Sequence, residues 1–553
     1  MRAAGYRCLA WYDAPVTAPT RWLEARTRRG LVASPHRLAS ESGRVVLAGG
    51  GNALDAAIAA ATTIAVVYPH MNGIGGDSFW MIWDAGRRRL HALNAAGRAA
   101  AAAHLETYRA RFGAAIPTRG GAAALTVPGV VSGWWEAHRL SRDTMGSTVS
   151  WPALLEQAIG HARQGFEPSP SQRRMTGAAS ALFDAGCADE IRRTLWPVFH
   201  PDRLQAPRFV QADLARTLAL IASDGPEAFY RGALARALAA AFAACGSPLT
   251  LHDLQAHRAD WVEPLRVPYR RGEAVSFPPP TQGFAALAIL ALLEGFDLAT
   301  LDDVDYVHLV VEATKLAFED RDRWLADPTV EPVPVEHCLD PTRLARRRGL
   351  ISMKAARPLD GPPTEGDTIA IVAADGAGNA VSVIQSLYHE FGAGVVAGDT
   401  GVLLQNRGAF FSLDPAHHNR LAPGKRTAHT LIPSMYLVDG RARFVYGTMG
   451  GEGQPQTQAA LVTRLIDRGL GPQAAVEAPR WLLGRTWGDV SKSLRVEGRF
   501  APEVAESLRA RGHDVQVVED WSDLMGHAQV IRLDDDALVG GSDPRADGAA
   551  LGA

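Results

Sequence analysis

Asp367-Thr368-Ile369-Ala370-Ile371-Val372-Ala373 (367–373) runs on into Ala374-Asp375-Gly376-Ala377-Gly378-Asn379-Ala380-Val381-Ser382-Val383. The first run is apolar and strand-like, residues 375–378 are turn chemistry, and residues 380–385 form a second apolar run. Together they read as a β-hairpin. The segment before them is different. Residues 332–366 carry Pro332, Pro334, Pro358, Pro362 and Pro363, the basic run Arg346-Arg347-Arg348 and no sustained period, which predicts a linker or mobile loop. A loop therefore ends directly at a strand that begins with Thr368. A Thr hydroxyl is a weak nucleophile unless a base lies next to it. A cut before Thr368 would supply one, because a free α-amine, with a pKa of roughly 7.7–8.0, is partly unprotonated near neutral pH. On these residues alone the signal is weak, because strands often begin with Thr, and a plain strand is the better reading.

Outward from the hairpin, the preceding two thirds of the chain read mostly as helix. Asn52, with Asp55 three residues on, caps an Ala- and Ile-rich helix reaching about Val67. Further helices are expected at 152–164, 211–223, 231–244, 283–293 and 303–324, the last stopped by Asp327-Pro328. After the glycine-rich loop 70–76, residues 78–84 read as a buried strand with 90–94 as its partner. Beyond the central hairpin, a second is expected from 431–437 and 442–447. A helix at 502–511 and strands at 515–518 and 528–533 follow. Helices followed by hairpins give an α/β or α+β fold with an antiparallel component.

Composition narrows the function. Of 553 residues, 57 are Lys or Arg and 59 are Asp or Glu, a net charge of -2. That balance gives no reason to expect nucleic acid or an anionic membrane as a partner. Cys8, Cys187, Cys245 and Cys338 are too few for a disulfide scaffold and too dispersed for a CxxC pair. The apolar stretch 56–68 is shorter than the roughly 18 residues a membrane span needs, and no export signal is read at 1–20. A cytoplasmic protein is expected. GxSxG, HExxH, GxxxxGK[ST] and EF-hand patterns are absent from the sequence, and His417-His418 reads as a surface or capping pair. Neither a metal nor a cofactor is expected.

Many segments carry one resemblance. Residues 50–61 (GGNALDAAIAAA), 69–79 (PHMNGIGGDSF), 127–130 (VPGV), 213–222 (DLARTLALIA), 225–232 (GPEAFYRG) and 278–283 (PPPTQG) are followed by 317–321 (AFEDR), 375–383 (DGAGNAVSV), 391–398 (FGAGVVAG), 449–451 (MGG) and 541–549 (GSDPRADGA). In this order they resemble the γ-glutamyltransferase family of N-terminal nucleophile hydrolases. The resemblance implies an α+β fold, a four-layer αββα sandwich, and an autoprocessing hydrolase or acyltransferase cut between Asp367 and Thr368. The pieces, a large subunit (34–367, preceded by an arm at 1–33) and a small catalytic subunit (368–553), would remain one heterodimer acting on a small molecule. It further implies that Thr368 forms an acyl-enzyme, that Ser386 hydrogen-bonds the nucleophile's amine, and that the N–H groups of Gly450 and Gly451 form the oxyanion hole.

The sequence departs from the family around the substrate. Where glutamyl enzymes hold the substrate α-carboxylate with Arg, the register here gives Ala96, with Arg98 two residues late. Phe410 replaces the Asp that holds the α-ammonium, Tyr388 replaces an Asn, and Arg407 stands at a usually neutral Gln. Of a paired Ser, the first becomes Pro433 and only Ser434 remains. An ammonium buried without its countercharge would be costly. The expected substrate therefore lacks an α-amine, or is flat and aromatic, near Tyr388, Arg407, Phe410, Ser434 and Arg98. Two other readings are a relative that breaks a carbon–carbon bond next to a carbonyl, and a non-catalytic scaffold left uncut.

Overall fold

The computed structural model describes residues 24–184, 189–358, 367–484 and 492–553. Residues 1–23 of the expected arm, Cys8, Cys187 and the linker end at 359–366 lie outside the described residues.

Two seven-stranded sheets face each other. One runs, in spatial order, Ala549–Gly552, Gly30–Ser34, Asp367–Asp375, Ala380–Tyr388, Asp77–Asp84, Arg89–Ala95 and Asp260–Val262. The other runs Ala25–Thr27, Leu538–Ser542, Ala528–Leu533, Arg441–Thr448, Ser434–Val438, Gly272–Ser276 and Leu265–Tyr269. Every pairing within both is antiparallel. The strands alternate between two cores. Phe79, Met81, Ala370, Val372 and Ile384 from the first sheet meet Val275, Met435, Val445 and Ile531 from the second. On its outer face the first sheet packs Trp80, Ile82, Ile369, Ile371, Val381 and Val383 against helices. Helices Gly283–Leu293, Asp303–Trp324 and Gln454–Ile466 cover the second sheet. The result is the expected αββα sandwich.

The stretch read as too short for a membrane is the helix Ala53–Val67, every residue of which is buried. Asn52 caps it, accepting from the N–H groups of Leu54 and Asp55, while Asp55 bonds back to Asn52 N. No helix among the described residues is long and apolar enough to cross a membrane.

Three expectations need correction. The lead-in read as irregular at 1–30 is ordered at its described end: Ala25–Thr27 is a strand, and Gly30–Ser34 is wholly buried and lies beside the strand that carries Thr368. Its apolar run is only five residues long, too short for a pattern. The linker is not structureless, since Val335–Cys338 and Pro341–Arg348 are helices, the second capped by Asp340 with Pro341 in its first turn. The middle third also hides three strands, Asp260–Val262, Leu265–Tyr269 and Gly272–Ser276, whose mixed burial gave no clean alternation.

Candidate active site

Thr368 lies one residue into the strand 367–375 and is fully buried. Strand alternation turns it to the inter-sheet face shared by Ala370 and Val372. The pairing with the next strand slips at this point: Asp367 faces Tyr388, whereas Ile369 faces Gln385. The extra residue falls on the partner strand, in the Ser386–Leu387 pair, so the ladder is interrupted where Thr368 sits. Ser386 is also buried, faces the sheet interior like Ile384, and pairs with Asp77. Its Oγ accepts a hydrogen bond from Tyr388 N at 2.8 Å, part of a tight turn in which Tyr388 takes φ 86°.

That turn delivers an aromatic and cationic cluster. The Arg407 guanidinium carbon stands 4.0 Å from the centre of the Tyr388 ring and 6.0 Å from that of Phe410. Tyr388 and Phe410 lie 5.6 Å apart, and His389 stacks on Tyr388 at 4.3 Å. Arg407 is 1% exposed. Its Nη2 reaches Thr430 Oγ1 only at 3.5 Å, and among the described residues its Nε and Nη1 have no partner. Burial pulls its pKa down to about 10, opposed by the charges of Tyr388 and Asp77. A guanidinium buried with two of its donor nitrogens unpaired is an expensive arrangement, which an anion would relieve.

The segment bearing Arg407 is stitched in place. Asn406 Nδ2 donates to Thr118 O at 2.8 Å while its Oδ1 accepts from His389 N at 3.0 Å. Gln405 Nε2 donates to Asp77 Oδ1 at 3.1 Å and to Val127 O at 3.2 Å. Asp77 Oδ1 also accepts from Gly97 N at 2.9 Å, and its Oδ2 lies 3.3 Å from His429 Nε2. Burial raises the Asp77 pKa to about 6, held back by these bonds and by Arg407 and Arg426. His429, fully enclosed and facing Arg407, is pushed well below its ordinary value.

Gly450 and Gly451 form the tight turn before helix Gln454–Ile466, with φ 121° and 51°. Both conformations favour glycine. Gln282 ties this turn to the Arg407 cluster, its Nε2 donating to Gly451 O at 3.0 Å and Thr430 O at 3.1 Å. Behind it, a Cβ on Gly526 would sit 2.2 Å from Met449 O.

Two expected substrate contacts go elsewhere. Ser434 Oγ lies within 3.1 Å of Gln458 Oε1, Ser276 Oγ and Ile432 O, inside the second sheet's own network. Arg98 is 41% exposed at the side chain, bonds to Gly424 O, and has Asp260 and Asp327 each at 3.8 Å. Its charge is already met, and Arg426 instead donates to Ala96 O at 2.9 Å. Asp77, His429, Thr430 and Gln282 were not singled out from the sequence, although Asp77 and Gln282 lie in segments that carried the resemblance. His417 Nδ1 accepts from Asn419 N at 2.9 Å, the turn-capping role expected of it.

Among the described residues, His308, Glu312 and His513 form a group of metal-ligand types. They are engaged with one another and their neighbours: His308 Nδ1 to His513 Nε2 at 2.8 Å, His308 Nε2 to Ser352 O at 2.7 Å, and Glu312 to Lys315 Nζ at 2.8 Å.

Residues 39–553 match the family model of gamma-glutamyltranspeptidase. The chain belongs to that family. As a gamma-glutamyltranspeptidase family member, it is an N-terminal nucleophile hydrolase in fold and class. It is 48% identical to an oxamate amidohydrolase proenzyme of Klebsiella pneumoniae, over 95% of this chain and 98% of that one. It is 36% identical to an acylase ACY 1 proenzyme of a Pseudomonas species, over 94% and 93%. Its fold superposes on a cephalosporin acylase from Bacillus halodurans with a TM-score of 0.90 at 37% identity, covering 98% and 99%. All three are named as amidohydrolase or acylase, the first two as proenzymes, and they favour neither the carbon–carbon nor the non-catalytic reading.

Proposed function

We propose that this chain cuts itself between Asp367 and Thr368, and that Thr368 then hydrolyses the amide of a small acyl compound bearing a carboxylate and no ammonium. The observation that carries the substrate class is Arg407, buried against Tyr388 with Nε and Nη1 unpaired. Either of them can pair with Nη2, which is held only by its 3.5 Å contact with Thr430 Oγ1, to form the two-pronged fork that suits a carboxylate. The position where glutamyl enzymes keep an Asp for the ammonium is Phe410, beside that guanidinium. The relative named as an oxamate amidohydrolase agrees in kind, since oxamate is an amide next to a carboxylate.

In this reading the new α-amine of Thr368 takes the proton from its own hydroxyl as Oγ attacks the acyl carbon, and Ser386 orients that amine. The N–H groups of Gly450 and Gly451 meet the developing oxyanion, an effect typically of about 10²–10³ in rate per donor. Water releases the acyl group. The two pieces stay together as a heterodimer in the cytoplasm, acting on a small molecule.

The test is turnover of monoamides of short dicarboxylic acids, oxamate included, set against γ-glutamyl-p-nitroanilide. Monoamides are expected to be hydrolysed at least a hundred-fold more efficiently in kcat/KM. Preference for the γ-glutamyl compound would overturn the reading.

A further inference from the structure

We propose that His429 is a specificity-determining residue that accepts a hydrogen bond from the nitrogen of the scissile amide, so that the site selects acyl donors whose leaving group carries an N–H. This rests on Thr368 being the nucleophile.

The tautomer follows from the bonding. His429 Nε2 faces Asp77 Oδ2 at 3.3 Å, and the other Asp77 oxygen is taken by Gly97 N and Gln405 Nε2. An ionised carboxylate only accepts, so Nε2 carries the ring proton and Nδ1 is left with a lone pair. Among the described residues Nδ1 has no partner, although the side chain is 1% exposed. The ring cannot readily swing to find one. Phe79 packs edge-on against it at 4.6 Å. Its backbone is clamped on both sides, His429 N donating to Pro280 O at 2.7 Å and Gln282 N donating to His429 O at 3.1 Å.

The neighbourhood explains what the lone pair is for. Residue 430, next in the chain, places its hydroxyl toward Arg407 Nη2, and Arg407 bears electrostatically on both His429 and Asp77. One small region thus offers two unpaired donor nitrogens on a cation and one unpaired acceptor on a neutral ring. A molecule complementary to both has a carboxylate and an N–H, as the monoamide of a short dicarboxylic acid does. The corresponding ester has the carboxylate and the same acyl group but would leave Nδ1 buried and unpaired. Sites built to bond a substrate N–H reject analogues lacking it for this reason. In the acylation step the Thr368 Oγ–C bond forms and the C–N bond breaks. The proton taken from Oγ goes to the departing nitrogen through the α-amine. His429 accepts a hydrogen bond from that nitrogen and takes no proton.

The experiment compares the monoamide and the monomethyl ester of oxalic, malonic and succinic acid in wild type, His429→Gln and His429→Asn. Gln keeps an N–H where Nε2 bonds Asp77 and deletes the Nδ1 acceptor; Asn keeps an acceptor near Nδ1. His429→Gln is expected to lower kcat/KM for the amide roughly ten- to a hundred-fold while the ester changes less than about three-fold, and His429→Asn to retain more amide activity than Gln. Separation of each variant into two bands reports an intact fold. Equal losses on amide and ester, or no loss on amide, overturns the role of His429. Activity that survives in Thr368→Ala overturns the nucleophile instead, and wild type inert on every monoamide overturns both. Should His429→Gln remain uncut, the comparison of Asn with wild type decides: amide selectivity unchanged from wild type supports the acceptor, and selectivity abolished refutes it.

Discussion

Arg407→Met separates a binding residue from a structural one, because the two roles predict opposite signs. Methionine approximates the volume of the Arg stem and carries no charge. In the free protein the substitution removes a guanidinium that is 1% exposed and has two donor nitrogens, Nε and Nη1, unpaired. Each unsatisfied buried donor costs about 1–3 kcal/mol, so removing both relieves about 2–6 kcal/mol. The lost contact with the Tyr388 ring, 4.0 Å away, returns only about 0.5–2 kcal/mol. The bond to Thr430 Oγ1, at 3.5 Å, is too long to matter much. The variant should therefore melt at or above the wild-type temperature. Toward the substrate the sign reverses. Removing one partner of a buried charge pair typically costs 2–5 kcal/mol, or about 30- to 4,000-fold in kcat/KM for a monoamide. Thermal melting and steady-state kinetics on the same preparation check both halves. A melting temperature lowered by several degrees with kcat/KM unchanged would refute the reasoning, since Arg407 would then be a scaffold residue.

Other perturbations follow from the same geometry. Thr368→Ala should remain one 59.1 kDa chain on a denaturing gel, where wild type gives pieces of 367 and 186 residues; N-terminal sequencing of the smaller piece should begin at Thr368. Gly526→Ala forces a Cβ to within 2.2 Å of Met449 O at φ 73° and should tilt the Gly450 turn, lowering kcat at least ten-fold with KM little changed. Arg545→Met strands Glu497, bonded at 2.6 Å, and the 3.1 Å contact with Asp543 in a fully buried network, and should cost about 3–5 kcal/mol in a denaturant titration. Asp77 titrates at about 6 in the fold against 3.8 unfolded. The folded state thus binds more protons between those values, so Asp77 makes the protein less stable as pH rises from about 4 to about 6. Activity should move the other way, falling below pH 6 as protonation removes the acceptor that holds His429; an Asp77→Asn variant that keeps the same acid limb would exclude Asp77 as its source.

Helices and hairpins were legible because segments such as 50–61 and 375–383 carry the turn, cap and period that their elements need, whereas the four-layer sandwich was implied only by the family resemblance those segments carry. Thr368 drew attention as a Thr opening a strand just past a proline-rich segment, although the interrupted ladder beside it, set by Asp367 facing Tyr388, has no sequence signature. Gly30–Ser34 was missed because a five-residue strand buried on both faces shows no alternation. Ser434 and Arg98 were assigned by register alone, and register does not say that a hydroxyl is absorbed by Gln458 or that a guanidinium meets Asp260 and Asp327. His429 escaped notice for the opposite reason. Its significance lies in an unpaired nitrogen, which depends on Asp77 arriving from a strand some 350 residues earlier, a separation of 352.

The order of strands bears on what cutting the chain can and cannot do. In the sheet that carries Thr368, strand 30–34 is threaded between 549–552 and 367–375, and strand 77–84 closes the far side of 380–388. In the facing sheet, 25–27 and 272–276 flank a block of four later strands. The two products of the proposed cut would thus be woven through both sheets, like interlocked fingers. Neither piece could leave without tearing ladders on two sides, so the pair should melt in one transition and should not exchange its small piece with another molecule. Residues 1–367 and 368–553 made separately should not recombine into this fold, so the proposed cut would have to follow folding.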